Sequence, residues 1–555
     1  MSNAWNTVAL TLAEAGCDLV VGVPSDEPGL LDTSVTGLRT LVVRDQRVGA
    51  CLATGHAMVS GKPAVLALTS GPPFPNALAG LAEAASLCVP LVIVTTRIPT
   101  AGIGRGGFQE TDQRSMASSL VKWHYVVESP EQLAWAVRRA VHLSVNGRPG
   151  LTVVEIADEV TRPAKAFTPS AQPPVTRLRS APDPQAVHRA VTALRSAERP
   201  LVILGGGAKA AGAGEAALRL AETLDAVVMT TASGRGSVPE SHPSVVGLVG
   251  LYTTPPLENL LAETDVVLAV GTRLEETVRM GWPDSRHIRL VHMDTDPYAF
   301  GQAFEPEVAV LGDAALTLKL LLDELRPAEP SLARADWRRR RTELDDEAFT
   351  LMHRTGSTGS LAREAVLTTG EVFGERTNYV HENGLHDIWS YHYPLLPIGT
   401  STKVVMPGEQ TMLGFGLPAA VGAGMARPDV PTVLLCGDGA MAMNVPALVT
   451  AAEHRIGLVV VMFDNSGFGW PRHLRVMAGE QDDLTRFAVS FPLDEMIRGL
   501  GGTVTDVTDP DQLCMVLAAA KETARTGATA LVRVLVLDND VPPGITRVLA
   551  NLDGS

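Results

Sequence analysis

Residues 432–440 read Thr432-Val433-Leu434-Leu435-Cys436-Gly437-Asp438-Gly439-Ala440, and residues 458–467 read Leu458-Val459-Val460-Val461-Met462-Phe463-Asp464-Asn465-Ser466-Gly467. Each is a short apolar run that breaks off into glycine and carboxylate or amide side chains. Continuous runs of this length fit strands buried on both faces of a parallel sheet. The intervening stretch 445–454 is of helix length. A strand–helix–strand unit returns the chain to the same edge of one sheet. Asp438 and Asn465 are 27 positions apart, yet this unit sets both at the carboxyl ends of neighbouring strands, where open α/β sheets bind ligands. Glycines flanking Asp438 permit a tight turn and let backbone N–H groups at a helix start approach an anion. A carboxylate, an amide oxygen and a nearby backbone carbonyl are hard ligands suited to Mg²⁺ or Ca²⁺. The pattern describes a site for a metal-bridged diphosphate. The plainer alternative is a Gly-Asp-Gly turn beside an unrelated Asn-Ser-Gly loop.

The same grammar runs through the chain. Apolar runs at 19–23, 64–68, 90–94, 151–154, 201–204 and 266–270 alternate with helix-length stretches at 76–86, 130–146 and 214–224. This alternation predicts an α/β protein of three consecutive doubly wound parallel-sheet domains. The length, 555 residues, allows three or four domains at roughly 150 residues each. Two segments interrupt the pattern. Residues 161–184 hold six prolines and read as an extended linker. Residues 326–361 contain Asp336-Trp337-Arg338-Arg339-Arg340-Arg341 followed by acids. That segment is expected to be a solvated, salt-bridged helix, with a nucleic-acid patch as the alternative. The cuts leave blocks at 1–165, 185–325 and 362–555.

Composition narrows the function classes. Apolar residues make up 45% and charged residues 19%, with 61 acidic against 46 basic side chains and a formal charge of −15. Such a chain can build several cores, and its sign repels nucleic acid and anionic lipid. The five cysteines, Cys17, Cys51, Cys88, Cys436 and Cys514, form no CxxC pair, which argues against a disulfide framework or zinc site. No basic region precedes the apolar stretch in 1–18, and no apolar run approaches the roughly 20 residues of a membrane span. The expectation is a soluble, cytoplasmic protein.

Gly437-Asp438-Gly439, then 24 residues, then Asp464-Asn465 resembles the thiamine-diphosphate signature of the acetolactate synthase/pyruvate oxidase/pyruvate decarboxylase family, with Asp464 in place of the first asparagine of the usual pair. Thr69-Ser70-Gly71-Pro72 with Asn76, Phe108-Gln109-Glu110-Thr111-Asp112, Gly234-Arg235-Gly236, His242-Pro243, Gly271-Thr272-Arg273, Asp294-Thr295-Asp296-Pro297 and Gly414-Phe415-Gly416-Leu417-Pro418-Ala419-Ala420 follow the family in order. The likeness covers nearly the whole chain and is nearest in motif to acetolactate synthase-like large subunits. It implies a pyrimidine-binding, a central and a diphosphate-binding domain. By the same likeness Asp438, Asn465 and the Gly467 carbonyl would hold Mg²⁺, and Gly439 and Ala440 the diphosphate. His386 would touch the phosphates, although Leu385 stands where the family has glutamine. Leu413 would wedge between the cofactor's two rings, and the Thr411 carbonyl and Leu413 N–H would bond its aminopyrimidine. Read alone, Leu413 is equally a core leucine and His386 a surface or core histidine.

The informative departure is at Gln46. The family carries a glutamate there, which bonds N1′ of the aminopyrimidine and promotes removal of the C2 proton. Counting back from Gly55 sets Gln46 at that position; a one-residue shift would set Asp45 there, but would turn a strand-end side chain away. A glutamine holds N1′ by a hydrogen bond yet cannot shuttle a proton as a carboxylic acid does.

The resemblance implies an enzyme that cleaves a 2-oxo acid, and carboligation of the remaining unit to an aldehyde or ketone is the leading expectation. Simple decarboxylation is the alternative. The His-His pair of such decarboxylases is replaced by Thr100-Ala101, while Asp26 falls where they keep an aspartate; Asp26 is equally well a turn residue. Gln109 is expected to face the bound intermediate. A reading from another class is a cofactor-binding but catalytically inert paralogue. FAD is a possible but not an expected ligand of the central block, because the cluster Gly205-Gly206-Gly207 is a weak signal. The likeness further implies a homodimer or homotetramer with active sites between chains. Trp389, Tyr391, His392, Phe468 and Trp470 lie near the cofactor motifs and could line the pocket or simply pack.

Overall fold

The computed structural model describes residues 4–161, 172–282, 288–325, 331–353, 360–396, 398–538 and 540–544. Much of the proline-rich segment (162–171) and the ends of the arginine-rich one (326–330, 354–359) lie outside the described residues.

Within the described residues the chain builds three six-stranded sheets, parallel throughout. The first contains β1 (Leu19–Gly22), β2 (Arg39–Val42), β3 (Ala64–Ala67), β4 (Leu91–Arg97), β5 (Val121–Val127) and β6 (Leu151–Ala157), in the order β2-β1-β3-β4-β6-β5. The second contains β7 (Pro200–Leu204), β8 (Val227–Thr230), β9 (Val245–Leu248), β10 (Val266–Val270), β11 (Arg289–Asp294) and β12 (Val308–Leu311), in the order β12-β11-β10-β7-β8-β9. The third contains β13 (Asn378–His381), β14 (Lys403–Val405), β15 (Thr432–Gly437), β16 (Leu458–Asp464), β17 (Thr503–Val507) and β18 (Thr529–Leu535), in the order β14-β13-β15-β16-β18-β17. The first and third sheets share one topology, with the strand order reversing between β1 and β3 and between β13 and β15. Such switch points open a crevice at the strands' carboxyl ends.

In the central sheet the switch falls between β7 and β10, and there the glycines serve close packing. A Cβ at Gly205 would lie 2.3 Å from the Gly271 carbonyl oxygen, and the Gly207 N–H donates to that same oxygen at 2.9 Å. The arginine-rich run lies on the helix Leu332–His353. Arg338 pairs with Asp225 and Arg340 with Glu263, while Trp337 and Arg334 are buried and donate to the Pro200 and Ala197 carbonyls. The helix therefore docks on the central domain rather than standing wholly in solvent.

A close helix pair sets the first domain against the third. The helix Gln46–Ser60 crosses the helix Gly416–Ala426 so tightly that a Cβ at Gly55 would sit 2.2 Å from the Ala419 carbonyl oxygen. A Cβ at Gly422 would sit 2.0 Å from that of Leu52. Side chains of both helices belong to one hydrophobic core. The first of these helices begins at Gln46, and the second follows the loop that carries Thr411 and Leu413. The backbone approach at two glycines thus sets the position of both.

Candidate active site

A cleft opens at the β13–β15 switch point, and its lining residues all come from 362–540. Asp438 is the first residue of the helix Asp438–Met443, with Gly437 as its N-cap. Its Oδ2 accepts the Gly467 N–H at 3.0 Å, so the end of β15 is tied to the turn after β16. Burial, and then the neighbouring Asp464 carboxylate, push the Asp438 carboxyl up to about 7; the N–H groups of Gly467 and Gly439 offset this only in part. A neighbouring like charge disfavours ionisation of a half-buried carboxyl, and a cation bound beside it would restore the charge. Asn465 lines the cleft beside Gly469, where a Cβ would come within 2.6 Å of the asparagine Nδ2.

The turn 465–467 is held from behind by Arg472, which is buried. Its Nη1 donates to the Asn465 carbonyl at 3.0 Å and its Nη2 to the Ser466 carbonyl at 3.3 Å, and the guanidinium pairs with Asp538. Arg472 thereby aims Asn465 and Gly467 at Asp438 without reaching the cleft itself.

His386 lines the same cleft beside the end of β15, where a Cβ at Gly437 would lie 3.6 Å from its Nδ1. It stacks on Phe463 with ring centroids 5.5 Å apart, and its Nε2 is buried without a hydrogen-bond partner. Burial lowers its imidazole to about 4, so the ring is neutral. Gly384 is required beneath it, because a Cβ there would lie 2.8 Å from His386 Cε1. Leu413 projects into the same cleft, and Thr411 holds a left-handed conformation at φ 45°. The Thr411 carbonyl accepts only a 3.5 Å contact from Asn383 Nδ2. The segment around them is pinned by Asn444, whose Nδ2 donates to the Gly414 carbonyl at 2.5 Å. Glu382 adds a second pin, accepting the Gly416 and Asn383 N–H groups at 2.6 and 3.0 Å; burial raises its carboxyl to about 8. Trp389, Phe468 and Trp470 line the cleft; Tyr391 and His392 are buried in the core behind it.

The first-domain candidates occupy a separate face. Gln46 begins the helix Gln46–Ser60 rather than ending a strand, and Asp45 is that helix's N-cap, accepting from Arg47 and Val48 N–H. The pleat argument used to separate the two residues therefore does not apply, since capping is what engages Asp45. Gln46 is half-buried and accepts from Asn76. Gln109, at φ 61°, is exposed and packs over Gly71, where a Cβ would meet its own at 2.7 Å. Asp26 is exposed in the turn after β1. Phe108 is 87% exposed. These residues follow β1, β2, β3 and β4, which neighbour one another about the first sheet's switch point, and none of them lines the third domain's cleft.

Sequence reasoning missed Glu83, Glu382 and Arg472. Glu83 carried one signal, a lone carboxylate in the small apolar run 77–85. It is fully buried on the helix Pro73–Ser86.

Comparison with known proteins gives matches to three family models. They are described as the N-terminal TPP binding domain, the central domain and the C-terminal TPP binding domain of thiamine pyrophosphate enzymes, over residues 3–116, 187–321 and 382–534. The acetolactate synthase large subunit of Parasynechococcus marenigrum is 31% identical over 506 residues, covering 87% of this chain and 79% of its own. The acetolactate synthase isozyme 3 large subunit of Escherichia coli is 27% identical over 552 residues, 97% of this chain and 95% of its own. A probable acetolactate synthase large subunit of Methanocaldococcus jannaschii is 28% identical over 480 residues, 81% of this chain and 79% of its own.

Proposed function

The chain belongs to the thiamine pyrophosphate enzyme family, and we propose that it acts there as an acetolactate synthase-like carboligase, cleaving a 2-oxo acid and joining the retained unit to an aldehyde or ketone. The observation that carries this reading is the cleft at the β13–β15 switch point. Asp438, Asn465 and Gly467 meet there, and the neutral His386, whose Nε2 has no partner among the described residues, and Leu413 line the same cleft.

The residues present fit the cofactor and its metal. Among the described residues no group of three or more His, Cys, Asp and Glu side chains could hold a metal. A single carboxylate with an amide and a backbone carbonyl instead suits Mg²⁺, which keeps other positions for phosphate and water. Asp438, raised by burial and by Asp464, regains its charge beside such an ion. Gly439 and Ala440 offer helix-start N–H groups to the diphosphate. Thiamine diphosphate supplies the electron sink needed to break the bond between a carboxylate and the adjacent carbonyl carbon. Around it, Thr411 and Leu413 would hold the pyrimidine through backbone groups, with Trp389, Phe468 and Trp470 lining the cleft. No step calls for a flavin.

The cleft draws no residue from the first domain, whose own candidates face outward. A homodimer or homotetramer, in which Gln46 and Gln109 of one copy cover the cleft of another, accounts for both facts.

The test is incubation of the full chain with thiamine diphosphate, Mg²⁺ and a panel of 2-oxo acids, with and without an aldehyde acceptor, followed by product analysis. An acyloin or acetohydroxy acid supports ligation. CO₂ with free aldehyde alone moves the assignment to a simple decarboxylase. No turnover above the free cofactor, despite cofactor binding, leaves the inert paralogue.

A further inference from the structure

We propose that Asp45 and Asn76 lock the amide of Gln46 in one orientation, so that its Nε2 is presented as a hydrogen-bond donor to the ring nitrogen of the cofactor's pyrimidine. This rests on the cofactor assignment above and concerns how a glutamine serves where an acid is usual.

Oδ1 of Asp45 is engaged by the Arg47 and Val48 N–H groups at 2.8 and 3.2 Å, which fixes the carboxylate at the helix start. Its Oδ2 faces Asn76 Nδ2 at 3.4 Å, and the same Nδ2 lies 2.7 Å from Gln46 Oε1. An ionised carboxylate only accepts, so the asparagine must turn its NH₂ toward Asp45. The second hydrogen of that NH₂ then falls to Gln46 Oε1. The reverse glutamine orientation would set two NH₂ groups against each other. Nε2 of Gln46 consequently has no partner among the described residues and is the group left for a ligand. An N–H donor complements a ring nitrogen that keeps its lone pair, and an amide cannot take up a proton from it. Gln46 therefore binds the pyrimidine with that nitrogen unprotonated and acts as a holding group rather than a proton shuttle.

The experiment is calorimetric titration of the full-length protein with Mg²⁺ and either thiamine diphosphate or its analogue with CH in place of the pyrimidine N1′. Wild type is expected to bind thiamine diphosphate at least tenfold more tightly than the analogue. Asp45→Asn keeps the helix N-cap through its Oδ1 but turns an NH₂ toward Asn76, which reverses the amides of Asn76 and Gln46 and should abolish that preference. Asn76→Asp, which draws Nε2 to itself and turns Oε1 outward, should abolish it. Circular dichroism of each variant at the wild-type value establishes that the fold is retained. An unchanged preference in both variants, or none in wild type, overturns the proposal. Failure of wild type to bind either compound overturns the cofactor assignment itself.

Discussion

Oε2 of Glu83, on the first domain's helix Pro73–Ser86, accepts the backbone N–H of Met412 in the third domain at 2.8 Å. Its other oxygen accepts the Gly408 N–H. One carboxylate thus braces both ends of the turn that displays Thr411, and Leu413 follows directly. Burial raises the Glu83 carboxyl, and the two N–H groups pull it back. The cofactor loop of the third domain is therefore shaped by a side chain of the first.

Replacing Glu83 with alanine would leave two backbone N–H groups without their acceptor. At roughly 1–3 kcal/mol for each unsatisfied group, Glu83→Ala is expected to lose about 2–6 kcal/mol of stability in urea unfolding. It should also weaken binding of thiamine diphosphate, and Glu83→Gln, which keeps one acceptor, should fall between. Cofactor affinity unchanged in Glu83→Ala would mean that the loop holds its shape without the brace.

Thr411 is a β-branched residue at φ 45°, where an L side chain costs roughly 1–2 kcal/mol relative to its usual conformations. Glycine is free of that penalty but gains entropy in the unfolded chain. Thr411→Gly is expected to be neutral or to stabilise by up to about 1 kcal/mol, with cofactor affinity retained, because the group used there is the carbonyl. A fall in melting temperature would show that the threonine side chain contributes something beyond its backbone.

The fold was legible where burial is complete on both faces of a strand. β15 and β16 are buried at nearly every position, as are β1, β3, β7 and β10, and each appears in the sequence as an unbroken apolar run. The edge strands β2, β12 and β17 mix buried with exposed positions over four or five residues, too few to separate from loops. Asp438 and Asn465 could be found because each directly follows such a run. Glu83 and Arg472 could not be assigned a job, since both act on backbone atoms. The partners of Glu83 are 325 and 329 positions away, and those of Arg472, though near in sequence, are set by the turn itself.

Arg472 offers a way to disturb the metal ligands without touching them. Its guanidinium serves the Asn465, Ser466 and Thr485 carbonyls from a buried position, a fan of donors that a single ammonium cannot reproduce. Arg472→Lys is expected to raise the Mg²⁺ concentration needed for cofactor binding at least tenfold, about 1.4 kcal/mol, while the helix Gly469–Met477 remains formed. Titration of Mg²⁺ at fixed thiamine diphosphate, followed by tryptophan fluorescence, reads this directly. An unshifted Mg²⁺ midpoint would assign Arg472 to folding alone.

His386 carries the pH dependence that can be worked out from a single group. Burial holds it at about 4 in the folded chain, against 6.5 for an ordinary histidine. Between these values the unfolded chain takes up a proton that the folded chain refuses. Stability is therefore unaffected by His386 above pH 6.5 and falls as the pH drops from there toward 4, by about 3 kcal/mol in all. Other groups titrate in this range, so the comparison is with His386→Gln, which removes one proton site and leaves the rest. Urea unfolding of both proteins without cofactor at pH 7, 5.5 and 4.5 is expected to give curves whose separation changes in the variant's favour as the pH falls. If the separation stays constant, the imidazole does not remain neutral in the folded protein, and the reading of His386 as a neutral wall of the cleft is wrong.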